Sequence, residues 1–176
     1  MTTLQLHLLN CLSVVMLAAV AVLTNATRRR LAGAVAGGAV FGVVALLLVA
    51  LGQRMGWWHF AIVWEPYYLT LLWIDFAVCS YVYLVTWRIA RRFGWPGLAV
   101  MVALAAVVGP PRDRWYMNRF PEWGAYGPGL APTLAVSAIY IIMIVLGHFV
   151  MWLVAGPSGA DPLARRPWES ASPAVD

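Results

Sequence analysis

The sequence predicts an all-α protein: a polytopic membrane helical bundle with about five transmembrane helices. Three observations carry that expectation. Of the 176 residues, 62% are hydrophobic and only 11% charged. Mean hydropathy is +0.77. The apolar residues also gather into several long runs, which places the chain in the membrane class although its length would suit one soluble domain. Residues 1–156 are therefore read as one transmembrane bundle. Residues 157–176, rich in Pro, Ser and Ala, are read as a flexible cytoplasmic tail.

The runs are judged against the roughly 20 residues that a bilayer crossing requires. The first, Leu4 to Leu23, lacks a basic leading region and a convincing cleavage site, so it reads as a retained helix. The second, Leu31 to Leu51, carries Gly33, Gly37, Gly38 and Gly42. These form two overlapping GxxxG pairs, which admit another helix backbone closely, either within the chain or in a homo-oligomer. The third, Pro66 to Trp87, opens on a proline, which suits a first helical turn because its missing N–H would have no partner there anyway. The fourth, Pro96 to Val108, is short, and must recruit flanking residues, thin the bilayer or re-enter. The fifth is Pro132 to Ala155. Between the last two, Pro110, Pro111, Pro121, Pro128 and Pro132 alternate with Trp115, Tyr116, Phe120, Trp123 and Tyr126. That stretch reads as a stiff surface lid or an interfacial aromatic belt.

Orientation follows from arginine, because the 12 basic residues include no lysine. Arg28, Arg29, Arg30, Arg88, Arg91, Arg92, Arg165 and Arg166 fall on one side of the five-span arrangement, and Arg54, Arg112, Arg114 and Arg119 on the other. The positive-inside rule puts the N-terminus outside and the C-terminus in the cytoplasm of a cell-membrane protein. The net charge of +5 then reads as a topology signal and as affinity for membrane lipids. No nucleic-acid partner is expected, since the arginines are divided among short loops. Cys11 and Cys79 lie in different runs without CxxC spacing, and haem would need two inward histidines at matched depth. Neither a metal nor a cofactor is expected.

Asp75 is the candidate for chemistry. It lies within the apolar run Tyr67 to Trp87, where an ionisable group is costly and faces a cavity or a partner. On a helix of about 100° per residue, Trp64, Tyr68, Asp75, Cys79 and Val82 share one side, with Glu65 roughly 80° away. A structural carboxyl bonded to a neighbouring helix is the alternative reading of Asp75, and helix capping that of Glu65. His148 is expected to point inward, either as a structural hydrogen-bonding group or as part of a proton path; His7 and His59 lie near segment ends. A protonated carboxylic acid with stacked aromatics suits cationic cyclisation, because the acid protonates an alkene or epoxide and the rings stabilise the cation. An enclosed dry cavity delays quenching by water.

The stretch Trp64-Glu65-Pro66-Tyr67-Tyr68 resembles the Trp-Glu-x-x-Tyr segment of the integral-membrane terpene cyclases of meroterpenoid and indole-terpenoid pathways. The resemblance implies an all-helical enzyme acting on a lipophilic isoprenoid substrate, with two acids that protonate a polyprenyl group. Glu65 would be the first acid. Asp75, in Asp75-Phe76-Ala77-Val78-Cys79-Ser80-Tyr81, would be the nearest candidate for the second. Trp64, Tyr68, Trp73, Tyr81, Trp115, Trp123 and His148 are the candidate substrate-binding groups. The family's usual seven spans and the Asn before its Trp-Glu pair are lacking here. Two other functions fit the sequence: a noncatalytic membrane-complex subunit or assembly factor, and a small transporter. For the latter the mid-membrane polar groups Thr70, Asp75, Ser80, Thr86, Ser137 and His148 are few.

Overall fold

A computed structural model describes residues 3–60, 67–121, 124–160 and 163, with the backbone alone at residues 3, 6 and 67–74. The elements run α1 (Thr3–Leu23), α2 (Arg28–Arg54), β1 (Trp58–Phe60), α3 (Tyr67–Arg119), β2 (Gly124–Tyr126) and α4 (Ala131–Ala155). The fold is helical, apart from a two-stranded antiparallel ribbon pairing Trp58 with Tyr126 and Phe60 with Gly124.

Three helices, not five, are long and apolar enough to cross a membrane among the described residues: 28–54, 75–119 and 131–155. The expected count is corrected in two places. The first run supplies only the shorter apolar helix His7–Leu23. The third and fourth runs join in α3, which breaks at Gly94 (φ 68°, ψ −160°). That conformation is open to glycine and strained for a residue with a Cβ. Pro96 follows at the start of the second arm, where a proline costs no helical hydrogen bond.

The break reverses the chain. Along α4, Met143 meets Tyr83 and His148 meets Thr86, and beyond its end Ser158 meets Trp87, so the first arm (67–93) runs parallel to α4. Thr133 meets Arg114 and Ser137 meets Ala106, so the second arm (95–119) runs antiparallel to it. α3 is thus a helical hairpin clasping α4.

The second arm does not stop at Val108. It stays helical to Arg119, through Pro110 and Pro111, where the sequence predicts an irregular aromatic lid. The reason is a contact from α4. Pro110 has no N–H to give the Ala106 carbonyl four residues back. The Ser137 hydroxyl of α4 donates to that carbonyl instead, at 2.8 Å.

The glycines of α2 are used inside the chain. A Cβ on Gly33 would meet Met151 and Ala155, one on Gly37 the Gly147 carbonyl and Tyr83, and one on Gly38 Ser80 and the Phe76 carbonyl. The centre of the bundle is a cluster of Ala34, Phe41, Cys79, Tyr83, Leu84, Trp87 and Met151, to which α1 adds Leu17, Val20 and Ala21. At Gly147 the bare backbone admits the Tyr83 ring, whose hydroxyl donates to the Met143 carbonyl at 2.9 Å.

Candidate functional site

The arginine-rich end begins with α2. Thr27 caps its N-terminus by accepting from the Arg30 amide, which aims Arg30 from the first turn toward the end of α4. The Arg30 side chain is 1% exposed. A buried guanidinium is expensive unless its donors are satisfied. Here they reach the carbonyls of Gly156 at 3.1 Å, Pro157 at 2.9 Å and Ala155 at 3.5 Å. Those carbonyls lie at or just past the C-terminus of α4, where acceptors lack helical partners and a positive charge is favoured. Arg29 adds a bond to the Val154 carbonyl at 3.1 Å. The Arg30 guanidinium also lies 5.2 Å from the centre of the Trp87 ring. The Trp87 indole N–H donates to the Ser158 carbonyl at 3.0 Å, so the first residues beyond α4 are held against the bundle.

Beside this cap lies a cavity of about 480 Å³ between the α3 hairpin and α4. Trp87, Trp95, Leu98, Phe149 and Trp152 supply its apolar wall, and Arg30 and His148 its polar groups. Phe149 and Trp152 stack at 6.2 Å. Trp95, at the hairpin bend, is 80% exposed. His148 Nε2 lies 2.6 Å from Thr86 Oγ1, which is itself 2.9 Å from the Val82 carbonyl. All three groups are satisfied when the Thr86 proton serves the carbonyl and His148 donates through Nε2, leaving Nδ1 as an acceptor. The walls can therefore take a hydrocarbon, with His148 and the Arg30 guanidinium as the polar groups beside it.

The opposite end carries the two-stranded ribbon. Arg112 pairs with Asp113 at 2.8 Å and bonds the Tyr140 hydroxyl, which donates to the second Asp113 oxygen at 2.8 Å. The Tyr140 ring covers Gly109, and Arg114 lies 6.0 Å from the Tyr126 ring centre. Burial first, and the Asp113 carboxylate second, push the Tyr126 phenol up to about 12.

Of the residues expected from sequence, His148 lines the cavity. Tyr81 is half-buried. Trp115 is exposed, its ring edge-on to Tyr116 at 5.1 Å. Asp75 is exposed on the first arm, with no hydrogen bond or ion pair among the described residues, while Cys79 one turn on is buried. Trp64, Glu65 and Trp123 lie outside the described residues, as do the side chains of Tyr68 and Trp73. Sequence reasoning missed Arg30, Trp87, Trp95, Phe149 and Trp152. The available signal was aromatic residues flanking arginines at three segment ends, which topology alone explains. Among the described residues no group of His, Cys, Asp or Glu is arranged to hold a metal. Comparison with protein-family models, curated proteins and solved structures finds no match for this chain.

Proposed function

We propose that the chain is a multi-pass membrane protein that binds a lipophilic ligand, isoprenoid or similarly hydrocarbon in character, between the α3 hairpin and α4. The cavity of about 480 Å³ is the observation that carries this. It falls in the roughly 300–1,000 Å³ range of small-molecule sites, with mostly apolar walls and few polar groups. The arginine-rich end is taken as cytoplasmic; the arginine split supports that orientation.

The test is photo-cross-linking of the membrane-embedded chain with a diazirine-bearing isoprenoid alcohol. Label should concentrate in residues 87–98 and 145–158. Val145→Trp, which fills the cavity from a side chain 54% exposed and so spares the core, should reduce it strongly. Label spread evenly over the lipid-facing helices, unchanged by Val145→Trp, would overturn the reading.

The Trp64-Glu65-Pro66-Tyr67-Tyr68 motif favours a second reading, a terpenoid cyclase started by Glu65 and Asp75. Asp75 is twelve residues from Trp87, about 18 Å along the helix, so that chemistry belongs to a different region from the cavity. Glu65→Gln keeps shape and removes the acid. Full cyclisation of a polyprenyl substrate by that variant eliminates the role.

A further inference from the structure

His148 lines the cavity, and its contacts with protein lie together on the first arm of α3. Nε2 meets Thr86 Oγ1 at 2.6 Å, and the ring lies edge-on to that of Tyr83 at 6.4 Å and 76°. Thr86 and Tyr83 are both buried behind the cavity wall. The Thr86 proton serves the Val82 carbonyl at 2.9 Å, so Nε2 carries the imidazole proton and Nδ1 keeps a lone pair. Neither contact takes a proton to that lone pair. Among the described residues the enclosed side-chain polar atom without a hydrogen bond is Asn10 Oδ1. Nδ1 is therefore not sealed within protein, and the space that His148 borders is the cavity.

The rest of the wall narrows what can meet Nδ1. The Arg30 guanidinium is engaged with the carbonyls of residues 155–157, and the Trp87 indole with that of Ser158. A carboxylate or phosphate head would compete with the end of α4 for Arg30. A cationic head would lie beside the Arg30 charge, with no carboxylate among the described lining residues to offset it. An ether or ketone oxygen would set two acceptors against each other, whereas a hydroxyl supplies the donor that Nδ1 needs. His148 stands eight residues before Gly156, about 12 Å along α4, so a head bonded there lies well inside the bundle rather than at its arginine-rich end.

We infer that the ligand of this cavity carries a neutral hydroxyl, alcoholic or phenolic, which donates to Nδ1 of His148. The inference rests on the ligand-binding reading above and adds the head group and its depth. A few placed polar groups among apolar walls are what orient a ligand, and Thr86 fixes the ring that does so here.

The test uses the full chain in bilayers and three probes of matched length: an isoprenoid alcohol, its methyl ether and a methyl ketone, each with a diazirine beside the head. The alcohol should label residues 87–90 and 145–149 roughly tenfold better than the ether or the ketone, the worth of one hydrogen bond. His148→Gln places an amide where Nε2 stood, keeping the Thr86 contact, and should lose most of that preference while the ether labels as before. His148→Asn places its amide at the Nδ1 position and should retain most of it, which separates a lost acceptor from a disturbed helix. The opposite order of the two variants overturns the assignment to Nδ1. Equal labelling of the cavity by all three probes overturns the hydroxyl and leaves the hydrocarbon site intact, and a ketone that matches the alcohol makes His148 a donor and overturns it too. Alcohol label concentrated at residues 94–98 and 156–158 overturns the inner position of the head. Failure of every probe to label the cavity overturns both readings. Unlabelled isoprenoid alcohol and a prenylated phenol, as competitors, distinguish an aliphatic from an aromatic hydroxyl; displacement by the methyl ether as effective as by either overturns the proposal.

Discussion

The two ends of the bundle use arginine in opposite ways. At the ribbon end Arg112 meets a carboxylate and a tyrosine in a closed set, and its side chain remains 56% exposed. At the other end Arg30 is 1% exposed and spends its donors on the carbonyls of residues 155–157. The first arrangement joins two helices through side chains that water also reaches. The second ends one helix on another and leaves an aromatic cavity beside the joint. The exposed ion pair should therefore be nearly dispensable and the buried cap should not.

The largest expected effect follows directly. Arg30→Met removes a buried guanidinium that donates to three carbonyls, and should cost about 2–4 kcal/mol of stability. Arg112→Met should cost under about 1 kcal/mol, because solvent screens an exposed pair. Thermal unfolding of both variants in one detergent decides between them. Similar losses would erase the distinction between the two ends.

Ser137 sharpens the comparison within the second arm. Ser137→Ala leaves the Ala106 carbonyl without its donor and should cost about 1–2 kcal/mol. Pro110→Ala restores a backbone N–H four residues from that carbonyl. The double variant should recover most of the loss, and a double-mutant cycle of unfolding free energies measures the coupling. Additive losses would mean that the hydroxyl serves something other than the proline.

These cases mark what the sequence made legible. Hydropathy sufficed for the helical class, because apolar runs leave the backbone only helical pairing in a bilayer. The small residues of α2 foretold close approach, seen at Gly33, Gly37 and Gly38. The helix through Pro110 and Pro111 was not legible, because the hydroxyl that makes it tolerable comes from 31 positions away in sequence. The cavity was hidden for a related reason. Trp87, Trp95 and Trp152 belong to three segment ends, and only the reversal at Gly94 assembles them. Asp75 drew attention by its cost in an apolar run, and it lies roughly 18 Å along the helix from Trp87 and the cavity.

Smaller effects test whether the ribbon end is one electrostatic unit. Tyr140→Phe removes the hydroxyl shared by Arg112 and Asp113 and should cost about 1 kcal/mol, read by the same unfolding assay. A comparable loss for Tyr140→Phe in an Asp113→Asn background would mean that the hydroxyl and the carboxylate act independently.

The smallest effect concerns Tyr126, whose phenol titrates near 12 because burial and the Asp113 carboxylate both oppose its ionisation. An unfolded tyrosine titrates near about 10. The folded state therefore keeps the proton longer, and the linked stability is complete below about pH 10 and lost as pH rises through about 12. Phenolate absorbance, taken as the difference between the wild type and Tyr126→Phe, should show a late-titrating tyrosine. Burial is the larger cause, so Asp113→Asn should move this titration only part of the way back toward 10. A full return would make the carboxylate the main cause and Tyr126 more open to water than its packing against Trp58 implies. No movement at all would detach Tyr126 from the Arg112, Asp113 and Tyr140 set.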